Sequence, residues 1–264
     1  MSKTILITGA TDGIGLEAAK LLANEGHTIL LHGRSAAKLD AARTVIGGHT
    51  QGYLADLSRT AEVVKLVDDI TRDHPHIDVL INNAGVLKAP QTVTEDGLDL
   101  RFMVNTIAPY ILTKRLLPLM GRDSRIINLS SAAQAPVDLA ALKGGVTMDD
   151  MDAYSQSKLA ITMWSQHLAS NLTDGPNVLA VNPGSLLASN MVKEGFGIAG
   201  NDISIGSTIL HRAALDPDFA DVSGRYFDND AGAFGHPHSD ADDPAKVSAV
   251  MQAIGAVTTK LLNT

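Results

Sequence analysis

The chain has 264 residues, 45% of them hydrophobic and 19% charged, with no cysteine and a formal net charge of −8. This length suits one α/β domain with a sizeable core, and the acidic balance argues against nucleic acid or an anionic membrane as the main partner. The lack of cysteine excludes disulfides, thiolate metal sites and cysteine nucleophiles, and no apolar run reaches the roughly 18 residues a membrane helix needs. No signal segment is visible at Met1-Ser2-Lys3, so the expectation is a soluble, cytoplasmic protein.

Apolar runs predict strands over Thr4–Thr8, Thr28–His32, Thr50–Ala55, Val79–Asn82, Arg125–Ser130 and Asn177–Val181. Helical spacing between them predicts helices near Gly13–Glu25, Ala36–Ile46, Thr60–Arg72, Asp96–Met120 and Met151–Asn171. Short buried strands separated by helices specify βαβ units. The predicted fold is therefore a single α/β domain over residues 1–264, a doubly wound parallel sheet with helices on both faces. Ligands of such folds bind at the carboxyl ends of the strands, where the strand order reverses. Past Gly184 the regularity weakens, and Gly195–Gly206 and Asp228–Pro244 read as loops, the first of them a lid.

The first strand runs into Thr8-Gly9-Ala10-Thr11-Asp12-Gly13-Ile14-Gly15 and then a helix, the context in which a glycine turn means dinucleotide binding. Gly9, Thr11, Asp12, Gly13, Ile14 and Gly15 are the candidate contacts, because glycines let backbone approach a pyrophosphate and the helix start offers free N–H groups. The second strand ends at His32-Gly33-Arg34. An acidic residue here would grip a ribose, whereas an arginine accommodates a 2′-phosphate, so Arg34 favours NADP(H) and leaves NAD(H) as the alternative. Asp56, followed by Leu57, ends the third strand and suits an adenine amino group or a helix cap. Asn83, Ala84 and Gly85 follow the fourth strand, where small residues again let backbone pass close to a ligand. Tyr154 and Lys158, four apart, share one face of a helix, where an ammonium beside a phenol favours the phenolate.

With TGATDGIG, NNAG, a serine pair, YSQSK and a PG turn in that order from Thr8 to about Ser189, the sequence resembles the short-chain dehydrogenase/reductase family. LSSAA, YSQSKLA and Gly224-Arg225-Tyr226-Phe227 look similar to its retinol-dehydrogenase-like, NADP-dependent members. The resemblance implies a Rossmann fold and hydride transfer between a nicotinamide and a carbonyl or alcohol carbon. It implies that Tyr154 exchanges a proton with the substrate oxygen, Lys158 lowers the tyrosine pKa and bonds the nicotinamide ribose, and Ser131 bonds the carbonyl oxygen. Ser130 should then point the other way, since side chains alternate along a strand. Asn105 is implied to hold a water in a proton relay with the lysine. Pro183, Gly184 and Leu186 match the turn that holds the carboxamide. Ala188 stands where many relatives have threonine, so either Ser189 supplies that hydroxyl or the contact is absent.

Ser131 and Tyr154 lie 23 positions apart, and the loop between them carries Val137, Leu139, Leu142, Val146 and Met148 over residues 136–150. With Met191, Val192, Phe196 and Ile198 from the lid region, 190–206, these residues suggest a pocket for a hydrophobic ketone or aldehyde. They serve equally well as packing against the body. His236 and His238 with Asp240, Asp242 and Asp243 invite a metal reading, but this chemistry needs none, and no metal is expected. The rival functions are an NAD-linked alcohol dehydrogenase and a non-catalytic NADP-sensing regulator. The expected partner is a small-molecule substrate. The resemblance also implies a homodimer or homotetramer formed through the long helices, whose apolar positions Leu112, Leu116, Met163 and Leu168 are equally consistent with packing inside the chain.

Overall fold

The computed structural model describes residues 2–263. Among them, one sheet contains β1 (Thr4–Ile7), β2 (Thr28–Gly33), β3 (Thr50–Leu54), β4 (Val79–Asn82), β5 (Arg125–Leu129), β6 (Asn177–Asn182), β7 (Tyr226–Asp228) and β8 (Ala233–Gly235). Their order is β3-β2-β1-β4-β5-β6-β7-β8. All neighbours are parallel except β7 and β8, which form an antiparallel hairpin. The chain leaves β1 in one direction toward β2 and β3, then returns to place β4 on the other side of β1. The order therefore reverses between β1 and β4, which puts a ligand crevice above their carboxyl ends.

The helices are α1 (Gly13–Asn24), α2 (Ala36–Ile46), α3 (Thr60–Asp73), α4 (Leu100–Phe102), α5 (Ala108–Leu116), α6 (Leu139–Leu142), α7 (Asp150–Asn171), α8 (Asn190–Phe196), α9 (Ser204–Leu215) and α10 (Pro244–Leu262). Strand side chains alternate between two cores, as the period of two demands. Ile5, Ile7, Ile29, Leu31, Ile81 and Leu179 face α1, α2 and α9, whereas Leu6, Leu30, Leu80, Ile126 and Val178 face α3, α5, α7 and α10. Near-continuous apolar strands are what a sheet covered on both faces requires.

The long helix expected over 96–120 is interrupted. A π-helical turn, Met103–Ile107, separates α4 from α5, and a 3₁₀ turn follows at Leu117–Leu119. Ala108 N–H reaches back to the carbonyl of Met103, the i→i+5 pattern of a π turn, which often marks a functional position. The region beyond Gly184 is also more regular than expected. It contains α8, α9, α10 and the β7–β8 hairpin, and α10 is secured by Asp243, whose carboxylate accepts from Ala245 and Lys246 N–H, with Pro244 in its first turn.

Leu112, Leu116, Met163 and Leu168 are all buried in the core shared by α3, α5, α7 and α10, the intramolecular packing that is one of their two readings. Leu142 is fully buried in the same core, and Val137, Leu139 and Met148 pack against it. Most of the apolar 136–150 loop thus serves the body of the protein. Among the described residues no helix is long and apolar enough to cross a membrane, and no cluster of three or more His, Asp and Glu side chains is suited to a metal ion. His238 instead caps the 3₁₀ turn at Ser239–Asp242, and Asp240 pairs with Lys246 at 2.7 Å.

Candidate active site

The crevice over β1 and β4 is a cavity of about 500 Å³. Gly9, Thr11, Asp12, Gly13, Ile14, Arg34, Asp56, Leu57, Asn83, Ala84, Gly85, Tyr154, Lys158 and Ser189 line it, as do His32, Lys38, Leu87 and Met191. Arg34 follows β2 and Ser130 follows β5, three strand spacings apart, so the cavity spans about 14 Å, long enough for an extended dinucleotide.

Its floor is built by close backbone approach. Gly9 has φ +62°, and a Cβ there would lie 2.8 Å from the Cα of Ala84. A Cβ on Gly15 would lie 2.4 Å from Asn83 Nδ2, so Gly15 acts behind the floor, letting α1 close on the β4 loop. Asn83 Nδ2 donates to the carbonyls of Thr8 and Gly9 at 2.8 and 2.9 Å. Thr8 Oγ1 accepts the N–H groups of Asn83 and Ala84, each at 3.0 Å. At the start of α1, Asp12 makes no capping bond to the first turn. Its carboxylate instead takes Lys38 Nζ and Asn190 Nδ2, each at 3.1 Å. A rigid glycine turn at an uncapped helix start fits the pyrophosphate of a dinucleotide.

At the far end, α7 presents Tyr154 and Lys158. Asp149 caps this helix by accepting from Met151 and Asp152 N–H, and Asp150 and Asp152 favour its positive end. Lys158 is buried; its ammonium donates to the carbonyl of Leu129 at 2.7 Å and lies 5.6 Å from the centre of the Tyr154 ring. Burial pulls the lysine pKa down to about 8. At pH 7 it is still protonated by roughly ten to one. Burial pushes the Tyr154 phenol above its ordinary range, while a hydrogen bond with Ser131 works in the opposite direction.

Ser130 and Ser131 diverge as strand alternation requires. Ser130 Oγ turns into the core against Thr162 Oγ1 at 2.6 Å, and Ser131 engages Tyr154. The carbonyl of Ser131 is held by Gln134 Nε2 at 2.8 Å and by the Tyr226 hydroxyl at 3.2 Å, so the β7 tyrosine helps to fix the serine. Asn105 sits in the π turn beneath the cavity. Its Oδ1 accepts Val86 N–H at 2.8 Å, and its Nδ2 donates to Val86 O and Ser157 Oγ, each at 3.0 Å. It thereby ties the loop after β4 to α7, with its side chain committed to these partners.

Pro183, Gly184 and Leu186 lie at the end of β6. Leu186 has φ +51°, the only positive φ outside glycine among the described residues, a strained backbone of the kind that clusters at ligand-binding turns. Asp230, in the β7–β8 turn, accepts from Ser185 N–H at 2.8 Å, Ser185 Oγ at 2.6 Å and Asn182 Nδ2 at 2.9 Å. Asn229 donates to Pro183 O at 2.9 Å. The hairpin thus clamps the turn. Ser189 caps α8, accepting Val192 N–H at 3.3 Å, and lies against Gly13 at the cavity wall. The roof is α8 itself, with Met191 and Glu194 lining the cavity and Gly195 lying against Leu87. The expected lid region, 190–206, begins with this roof helix, and beyond it the glycine-rich segment returns as a strap, bonded where Ala188 N–H meets Asn201 O at 2.8 Å.

The model of the short chain dehydrogenase family matches residues 3–196. The chain belongs to the short-chain dehydrogenase/reductase family. It is thus an oxidoreductase of a family that binds nicotinamide cofactors and acts on CH–OH or C=O groups. Human retinol dehydrogenase 13 is 34% identical over 263 aligned residues, covering 86% of this chain and 76% of the relative. The chloroplastic short-chain dehydrogenase TIC 32 A of Brassica napus is 31% identical, covering 85% of this chain and 79% of its own. Among solved structures, an uncharacterized protein from Mycobacterium paratuberculosis superposes with a TM-score of 0.82 at 26% identity, covering 97% of this chain and 93% of its own.

His32, Asn82, Asn128 and Asp230 were not among the expected site residues. Asn82 Nδ2 donates to Asn128 Oδ1 at 2.7 Å and Asn128 Nδ2 to Ser165 Oγ at 2.8 Å, a buried polar ladder beneath the crevice. The signal for each was a polar residue interrupting an apolar strand, or following one closely.

Proposed function

We propose that this enzyme uses NADP(H) to transfer a hydride between the nicotinamide and the carbonyl or secondary alcohol carbon of a hydrophobic ketone or aldehyde. The observation that carries the reading is that Tyr154 and Lys158 open into the same cavity as Arg34 and Lys38. Arg34, just past the end of β2 where an acidic residue would serve NAD, favours the 2′-phosphate, with Lys38 one helical turn on and paired to Asp12. The apolar preference rests on Val86, Leu87, Leu100, Val104 and Met191 in the lining and on exposed Phe196 and Ile198 beside it.

When bound, the nicotinamide supplies or accepts the hydride. In the reductive direction Tyr154 gives its phenolic proton to the substrate oxygen, for which a raised pKa keeps the proton in place until it is needed. Ser131 holds that oxygen by a hydrogen bond, strongest as charge develops on it. Lys158, protonated at neutral pH and aimed by Leu129, stabilises the phenolate left behind. Asn105 keeps the Val86 backbone and α7 in register around this group.

The test is loss of NADPH absorbance with a panel of apolar ketones and aldehydes beside charged sugars, repeated with NADH. Turnover of the apolar carbonyls with NADPH is expected. Turnover of only the sugars, or an unchanged cofactor preference in Arg34→Asp, overturns the corresponding part of the reading.

A further inference from the structure

His32 takes no part in the chemistry above, yet both of its ring nitrogens are spent on the cofactor crevice. It lies near the end of β2, two residues before Arg34, with 3% of its surface exposed. Its Nδ1 accepts the N–H of Gly9 at 3.2 Å, and its Nε2 lies 2.9 Å from the carbonyl oxygen of Ala55. An N–H can only donate and a carbonyl can only accept. The ring is therefore neutral, with its proton on Nε2.

The two partners sit on opposite sides of β2. Gly9 opens the glycine turn after β1, and Ala55 follows β3 immediately before Asp56. The backbone of the same segment runs parallel to these bonds, since Ala10 N–H donates to His32 O at 2.9 Å and Ala55 N–H to Gly33 O at 3.1 Å. One buried side chain thus sets the spacing between the pyrophosphate turn and the corner that carries Asp56, and Arg34 leaves the same strand two residues later. We propose that His32 is a positioning residue, a neutral strut that fixes the three loops forming the adenosine half of the cofactor site.

The proposal rests on the dinucleotide reading of the crevice. Burial supports it, holding the imidazole pKa down to about 4 with Asp56 as the nearby charge opposing that shift. Three substitutions separate the two bonds. His32→Leu removes both, His32→Asn keeps an acceptor near Nδ1 for Gly9, and His32→Gln keeps a donor near Nε2 for Ala55.

The experiment measures NADPH and 2′,5′-ADP affinity by calorimetry for the wild type and the three variants, together with kcat and KM for NADPH. Long-range ¹⁵N correlation spectra of the imidazoles of the wild type and His32→Gln are recorded in parallel. The leucine variant is expected to bind both probes about tenfold more weakly or worse, with Asn and Gln intermediate and kcat at saturating NADPH within about twofold. Among the nine histidines, the ring whose signals disappear in His32→Gln should be neutral and protonated at Nε2. Wild-type affinity in the leucine variant, loss of kcat with unaltered affinity, or finding that ring charged or protonated at Nδ1 at pH 7 overturns the strut. If His32→Leu does not fold, the spectra and the Asn and Gln affinities decide. Failure of the wild type to bind any dinucleotide overturns the cofactor reading itself, an outcome distinct from the others.

Discussion

Lys158→Met should make the cofactor-free protein more stable while removing its activity. The lysine ammonium is buried, and its pKa falls from 10.5 to about 8. Each pH unit of that fall is about 1.36 kcal/mol, so keeping the charged form folded at pH 7 costs about 3 kcal/mol. Methionine fills a similar volume without that penalty but strands the Leu129 carbonyl, which costs about 1–2 kcal/mol. The net expectation at pH 7 is a gain of about 1–2 kcal/mol, or about 2–4 °C in Tm for each kcal/mol in a chain of this size. The pH dependence isolates the cause. The unfolded lysine binds a proton up to about pH 10.4, whereas the folded one releases it from about 8, so between these values the unfolded state holds more protons. Wild-type stability should therefore rise relative to the variant across that window, and the variant's advantage should shrink and then reverse. Urea unfolding at intervals from pH 7 to 10 measures it, with both proteins also carrying Tyr154→Phe so that the tyrosine beside the lysine does not titrate in either. A stability difference that stays flat across the window would refute the claim that Lys158 is held charged against burial.

Tyr154→Phe should lower kcat by about 10²–10⁴ while leaving NADPH affinity within a few fold, because it removes the proton and keeps the packing; a cofactor sensor would be indifferent in its response to NADPH. Arg34→Asp should weaken NADPH binding by about tenfold or more while leaving NADH affinity equal or improved, read by calorimetry. Asp230→Asn should loosen the Pro183–Leu186 turn and raise KM for the cofactor several fold, with a smaller change in the urea midpoint, since the side chain is at the surface and its lost partners are re-solvated. Gly9→Ala should abolish measurable dinucleotide binding or folding together, because its Cβ meets the Ala84 backbone and its φ is +62°; tight NADPH binding by this variant would remove the close-approach argument.

The cofactor half was legible because its logic is local. Val79–Asn82 and Ala36–Ile46 have the boundaries expected of them, and the other five expected strands differ by one residue at one end. A buried parallel strand reads as an unbroken apolar run, and the glycines mark the turns between strand and helix. The region after Gly184 was not legible for the opposite reason. Tyr226–Asp228 and Ala233–Gly235 are strands of three residues each, too short for periodicity, and they exist because β6 offers an edge to pair with. Leu142 and Val137 looked like pocket residues because a sequence gives apolarity without direction, and the fold turns them inward. The π turn at Met103–Ile107 is likewise invisible in a helical pattern, since it depends on Asn105 being drawn to Val86 and Ser157 from other parts of the chain.

These particulars point to one division of labour. The side chains that meet the reactants in the proposed reaction, Tyr154, Ser131 and Arg34, follow motifs with fixed spacing, because that chemistry itself sets what they must be. Residues that aim them, such as His32, Asn105, Tyr226 and Asp230, reach across the sheet from elements far away in the chain, and any group of the right reach and polarity would serve. Tyr226 holds the Ser131 backbone from β7, and Asp230 holds the Ser185 backbone from the turn after it, so the C-terminal hairpin contacts both strand ends that flank the nicotinamide end of the crevice. The hairpin is therefore part of the scaffold of the candidate site, and shortening it should disturb Ser131 and the Pro183 turn together.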